Sequence, residues 1–292
     1  MDLNALEAFA TDVGAAGAVT IVGASSRDGA VPGVRSVRAP TGIWAYQPEE
    51  MTITCGAATP VGELAMALEA AGQLVAMPAT GTVGGALADG VETIYRLGRG
   101  PMRDCLLEAR VVSADGVVAK AGGPTVKNVS GFDLCRLLVG SRGTLAFIGG
   151  VTLRTRPLPA CTRWFRSDAP VAALRRSLYR PASVLWDGAT TWVCLEGHAT
   201  DVANEAASVG LAEVDGPPAL PGHSSTFEPG ALFTLGLEPG TFVAELGVGH
   251  VHSQAVAPAG SPLPAAVLEL NRRLKTVFDP TGRLNPGREI GA

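Results

Sequence analysis

An α+β fold in two parts is what this chain predicts, on three observations. Two alternating stretches turn at Asp115-Gly116 and at Asp187-Gly188, the dipeptide that closes antiparallel hairpins. Between the strands lie short helical patterns, giving a strand–helix–strand order that suits a sheet covered by helices. The run Pro157-Leu158-Pro159 then punctuates the chain, setting residues 1–156 apart from a smaller domain at 157–292. A length of 292 residues favours two domains at roughly 150 residues each.

Leu3, Leu6 and Phe9 fall at helical spacing, so residues 3–13 read as a helix. Val19 to Val22 reads as a buried strand feeding Gly23-Ala24-Ser25-Ser26. Strands are expected at Ile43–Tyr46 and Met51–Cys55, around Gln47-Pro48-Glu49-Glu50. The next helix spans 60–71, with Thr59 as N-cap, Pro60 in its first position and Gly72 at its end. LLEARVVSADGVVAKAG is the first hairpin, Asp133–Val139 a short helix, and Thr144–Thr155 a closing strand. In the second domain a strand is expected at Trp164–Arg166 and a helix at Val171–Tyr179. A hairpin at Ser183–Glu196, a helix at 200–209 and a loop at 216–230 follow. Thr241–Ser253 alternates as one strand, and Leu263–Val277 is a final amphipathic helix, giving an antiparallel sheet with helices.

Composition narrows the function. Hydrophobic residues make up 47% and charged ones 17%, which suits a compact enzyme and argues against disorder. A net charge of −4 offers no electrostatic footprint for nucleic acid. The five cysteines are scattered and form no CxxC pair, so cysteine-held zinc or iron–sulfur is not expected, and a reducing compartment is. No signal peptide or membrane span is read, so the expected location is cytoplasmic.

The chemistry concentrates in two glycine-rich motifs. In PATGTVGGALADG, from Pro78, the step Gly81-Thr82-Val83-Gly84-Gly85 reads either as an amide nest for a pyrophosphate or as a tight glycine turn. Ala86 and Ala88 let a helix begin close behind it. VKNVSGFDLCRLLVGSRGTLAFI gathers Lys127, Asn128, Gly131, Asp133, Gly140 and Gly143 before an apolar run. Bare amides and close-approach glycines together suit a bulky, flat, anionic ligand.

With Gly100-Pro101-Met102-Arg103-Asp104 and the ending FDPTGRLNPGR, these motifs resemble the vanillyl-alcohol oxidase superfamily of FAD-binding PCMH-type proteins. Within it they resemble the glycolate oxidase flavoprotein subunits, the shorter E-type in particular. The resemblance covers residues 19–156 and 278–288 and is loose over 157–240. It implies a two-subdomain FAD-binding domain, then a small substrate or partner domain whose C-terminal segment returns to the flavin. Gly23, Ser25 and Ser26 match a first phosphate loop, and Pro78, Gly81, Thr82, Val83, Gly84 and Gly85 a second. Gly131, Asp133 and Leu134 match a segment bordering the ring, Gly143, Thr144 and Ile148 its other edge, and Asn285 a terminal flavin neighbour. Leu134 and Ile148 read equally as core residues.

The first loop departs from the two or three glycines of the family pattern. No histidine precedes His198, so the FAD is expected to be non-covalent, and Cys135 is not expected to form a link. Catalytic relatives carry a GHxGDGNLH-like segment whose histidines bind metal or take the hydroxyl proton. Here Glu245 stands for the first histidine and His252 for the last. On one extended strand Glu245 and His250 face opposite ways, so His250 and His252 lack a third ligand and no metal is expected. The resemblance implies oxidation of a 2-hydroxy acid, glycolate or D-lactate, with His252 as base and Arg288 or Arg103 holding the carboxylate. Electrons would leave to a second flavoprotein or iron–sulfur subunit. A non-catalytic relay subunit and a flavin-free pseudoenzyme are the alternatives.

Overall fold

The computed structural model describes residues 1–25, 29–123, 133–234, 236–255 and 263–290. It separates into two compact units, one of Met1–Thr93, Pro101–Leu158 and Pro264–Ala292, the other of Ile94–Gly100 and Pro159–Leu263. Residues 264–292 therefore belong with the first unit and 94–100 with the second.

The first unit is built on a five-stranded antiparallel sheet. Its order is Ile43–Gln47, Thr52–Gly56, Phe147–Arg154, Leu106–Val112, Val118–Gly122. The Asp115-Gly116 turn joins the last two, with Gly116 at φ +74. The helix Val61–Glu69 buries Val61, Leu64 and Leu68, which join Ile53, Leu87, Met102 and Leu153 in the main core. Thr59, expected as the N-cap, does not cap that helix, whose N-cap is Pro60 with no side-chain bond. The Thr59 hydroxyl donates to Gly56 O at 2.7 Å and accepts from Gly42 N at 2.9 Å, a buried clasp between two turns.

A second core in this unit joins the two ends of the chain. Leu3–Val13 is capped by Asp2, whose carboxylate accepts from Ala5 N, and buries Leu6, Phe9, Ala10 and Val13. Phe9 and Val13 pack with Val19, Val112, Phe147 and Leu284. Val19–Ile21 runs parallel to Arg35–Val37, and Val19 bridges to Leu284 on its other side. The buried Arg283 guanidinium donates to the carbonyls of Val13, Gly14, Ala16, Gly17 and Ala114 at 2.8 to 3.1 Å. Four of those five carbonyls lie at or just beyond the helix end, where unpaired oxygens and the dipole favour a cation.

The second unit is a seven-stranded antiparallel sheet. Its order is Ala212–Val214, Cys161–Ser167, Thr191–Gly197, Ser183–Trp186, Phe242–Glu245, His250–Ser253, His223–Thr226. Helices Val171–Ser177 and Ala199–Val209 contribute Leu174, Val202 and Ala206 to a core against Phe165, Val193 and Leu195. Ile94 and Tyr95 pack with Trp164 and Cys194 of this sheet, and Arg99 pairs with Glu196. Those contacts place 94–100 in this unit. His223–Thr226 lies inside the stretch 216–230 expected to be loop. The expected strand Thr241–Ser253 is a hairpin, turned through Gly247 and Gly249 at φ +84 and +88.

Candidate functional site

A cleft of about 70 Å³ opens in the first unit. Gly23 to Ser25 leave the strand Val19–Ile21 and form one wall. Among the described residues, the amides of Gly23, Ala24 and Ser25 donate no hydrogen bond. Ser25 holds φ +53, in the left-handed region where loops present successive N–H groups. Arg142 and Arg288 supply positive charge to the same cleft, and Asp89 one acid. Ile21, Val22, Phe147 and Ile148 supply apolar surface, while Ala39, Ala57, Ala58 and Ala88 keep the walls low. Ile148 is thus both a core residue and a cleft wall.

The second glycine loop works differently from an amide nest. Val83 N donates to Thr59 O at 3.0 Å and Gly84 N to Ala57 O at 2.7 Å, while Gly85 N donates to Thr82 Oγ1 at 3.2 Å. Three of the five amides from Gly81 to Gly85 are therefore already bonded within the protein. What its glycines provide is closeness. A Cβ on Gly84 would lie 2.7 Å from Ala57 Cβ, and one on Gly23 would lie 2.8 Å from Thr82 Oγ1. Thr82, Gly84 and Gly85 line the cleft, but Gly81 and Pro78 do not, and Val83 is a core residue that starts the helix Val83–Asp89.

Asn285 lines this cleft and also ties its walls together. Buried at φ +45, it accepts from Thr20 Oγ1 and Ile21 N at 2.9 and 3.0 Å, and donates to Arg142 O at 2.7 Å. It therefore ties the strand before the first loop to the turn Arg142-Gly143. A Cβ on Gly143, at φ +66, would lie 2.6 Å from Asn285 Nδ2. Arg288 reaches back to donate to Gly29 O at 2.6 Å. Arg288 is thus brought to the first loop's cleft, where its charge suits a phosphate.

Several expected ligands lie off this cleft. Asp133 caps Leu134–Leu138 by accepting from Arg136 N, and its carboxylate pairs with Arg136 Nε at 3.0 Å. Leu134 stands exposed on that helix. Thr144 is buried with its hydroxyl donating to Ser141 O at 2.6 Å. Arg103 is exposed beside Asp104. Ser26 and Gly131, like Lys127 and Asn128, lie outside the described residues. Cys135 is packed under Leu107 O, and burial pushes its thiol up to about 11, so it offers no thiolate.

In the second unit the hairpin gathers a titratable trio. Glu245 and His250 are direct cross-strand partners, so they share a face, and His252 sits two residues along on it. The separation of Glu245 from His250 expected of one strand is thereby corrected, and a third donor joins the two histidines. Their ligand atoms all lie within 4.8 Å of one another. His252 Nε2 meets Glu245 Oε1 at 2.8 Å, and Thr226 Oγ1 meets His250 Nδ1 at 3.2 Å. Glu245 Oε2 is buried without a hydrogen-bond partner among the described residues. Burial lowers the His250 pKa from its ordinary value, only partly countered by Glu245, so its imidazole is neutral at pH 7. Among the described residues no helix is long and apolar enough to cross a membrane.

Comparison with known proteins bears on both units. A family model described as an FAD binding domain matches residues 13–122. Glycolate oxidase subunit GlcE of Escherichia coli is 29% identical over 303 aligned positions, covering 86% of this chain and 85% of that one. A D-lactate dehydrogenase of Archaeoglobus fulgidus is 46% identical over 78 residues, 27% of this chain and 18% of that one. The fold matches a solved alkyldihydroxyacetonephosphate synthase at TM-score 0.67 and 14% identity, covering 97% of this chain and 73% of the other.

Proposed function

The chain carries an FAD-binding domain of the PCMH type on a mixed α+β fold, and from that premise we propose a flavin-dependent 2-hydroxy-acid oxidoreductase subunit. Its substrate is of the glycolate or D-lactate class, and its electrons pass to a partner, a second flavoprotein or an iron–sulfur subunit. One observation carries the cofactor: uncommitted amides at Gly23 to Ser25 face the same cleft as Arg142, Arg288 and an apolar wall. The amides and Arg288 hold the diphosphate. Gly84, Gly85 and Gly143 let backbone approach the ligand, and Phe147 and Ile148 give it a dry flank. FAD, when bound, supplies the two-electron acceptor. No described histidine or reactive thiol lies on the cleft, which supports non-covalent binding.

His252 is the base in this reading. Glu245 Oε1 accepts the Nε2 proton and so leaves the lone pair of His252 on Nδ1. A second reading of the trio rests on the unpartnered Glu245 Oε2. Glu245, His250 and His252 would hold a divalent transition ion, with Thr226 fixing the His250 tautomer, and the ion would supply Lewis acidity. Zinc uptake by equilibrium dialysis that disappears in Glu245→Gln favours this reading; uptake indifferent to that change removes it.

The principal test is optical. Purified protein is expected to be yellow, to release its flavin on acid precipitation, and to bleach anaerobically with glycolate or D-lactate. Colourless protein that takes up no added FAD overturns the proposal. Bound flavin that neither acid reduces, with a co-expressed partner present, leaves the cofactor and overturns the substrate.

A further inference from the structure

The helix Ala265–Phe278 is 14 residues long and buries no side chain among the described residues. Large apolar groups stand open on it: Val267 is 37% exposed, Leu268 39%, Leu270 53% and Val277 74%. With half-buried Leu274, the residues Val267, Leu270 and Val277 recur at steps of three, four and three, while Leu268 falls on another side of the helix. That alternation keeps a narrow seam on one side of a helix, the spacing that seats a second helix ridge into groove. A helix of this length is marginal alone in water and is ordinarily steadied by burying its apolar face. What its own unit supplies is held near its carboxyl end. Lys275 Nζ donates to Thr144 O at 2.8 Å and Leu284 O at 3.0 Å, and Asn271 Nδ2 to Ile290 O at 3.3 Å. None of these bonds covers the seam.

We propose that this seam docks an amphipathic helix of a partner protein, one whose own apolar repeat is flanked by Asp or Glu. Charge selects that occupant. Arg273 borders the seam, exposed, and makes no ion pair among the described residues, whereas Arg272 on the outer side is matched by Glu269 at 3.3 Å. A second copy fits less well, because antiparallel pairing brings the two Arg273 flanks together. A lipid surface fits less well too, since an interfacial helix presents a broad apolar face lined by several cations. Docking here sets the occupant on the helix that leads into Asp279–Arg288, a segment that walls the cleft. Resting on the flavin reading, that is where an electron acceptor belongs.

The test uses the full chain and two labelled synthetic peptides of about four heptads, with Leu in the seam and either Glu or Lys on both flanks. Fluorescence anisotropy is expected to show the Glu peptide binding at least about tenfold more tightly than the Lys peptide. Arg273→Glu is expected to reverse that order, and Val267→Asp with Leu270→Asp to abolish both without altering the circular dichroism spectrum. Equal or absent binding of the two peptides overturns the proposal. So does a concentration-dependent dimer in sedimentation, or preferential retention on anionic phosphatidylserine vesicles. Peptide binding is read with and without FAD, so failure of the flavin reading leaves this result intact.

Discussion

At Gly84 an added methyl would lie 2.7 Å from Ala57 Cβ and 3.0 Å from Ala57 O, with backbone on one side and a core helix on the other. Gly84→Ala is therefore expected to destabilise the fold by roughly 1–3 kcal/mol, read from urea unfolding. At Asn285 the loss is of partners rather than space. Asn285→Ala strands Thr20, Ile21 N and Arg142 O, and is expected to weaken FAD binding by more than about tenfold in a flavin titration. Unchanged affinity would show that the cleft does not depend on this residue. His250 gives the residue scale its pH dependence. Burial lowers its pKa when folded, so as pH falls past about 6.5 the unfolded chain takes the proton first. Its contribution is complete above that pH and is lost below it. Melting temperature is expected to fall as pH drops from 7 toward 5, and His250→Gln to flatten that slope.

Elements show why some of the site was legible and some was not. Leu3–Val13 announces itself by Asp2 and by apolar spacing, and the Asp115-Gly116 and Asp187-Gly188 hairpins by their turns. Those signals are local, and local chemistry decides them. The hairpin Phe242–Ser253 is hidden because alternation continues on both sides of Gly247-Val248-Gly249, so one strand and two share a pattern. Reading those two glycines as a turn would have brought Glu245 to His250. His223–Thr226 is polar and an edge strand, carrying no periodicity to find. The amides of Val83 and Gly84 look bare in sequence because their acceptors, Thr59 and Ala57, come from another segment. Arg283 is the strongest case of such distance: nothing near it predicts carbonyl partners more than 160 residues away. Arg283→Met leaves five carbonyls without their donor, those of Val13 and Ala114 buried, and is expected to cost roughly 1–3 kcal/mol, measured as a shift in the denaturant midpoint.

For the chain as a whole, the beginning of the sequence is completed by its end. Val19 N donates to Arg283 O and Asn285 N to Val19 O, each at 2.9 Å, so the last described segment borders the first strand. Asp279 anchors that segment. Burial pushes its carboxyl up, but Lys275 and the amides of Leu284 and Arg283 pull it below its usual range, and it stays charged. The cleft thus needs residues from positions near 20, 85, 145 and 285 at once, contacts of long sequence separation that form late and together. A chain ended after Phe278 keeps PATGTVGGALADG and both domains' hairpins, yet lacks Asp279, Arg283, Asn285 and Arg288. It is expected to bind no FAD. The full chain, by contrast, is expected to gain about 2.7 kcal/mol at a hundredfold excess of FAD over its dissociation constant. Thermal unfolding of both chains with and without FAD checks this directly. A truncated chain whose melting temperature still rises with FAD would mean that the first loop holds the ligand without the closing segment.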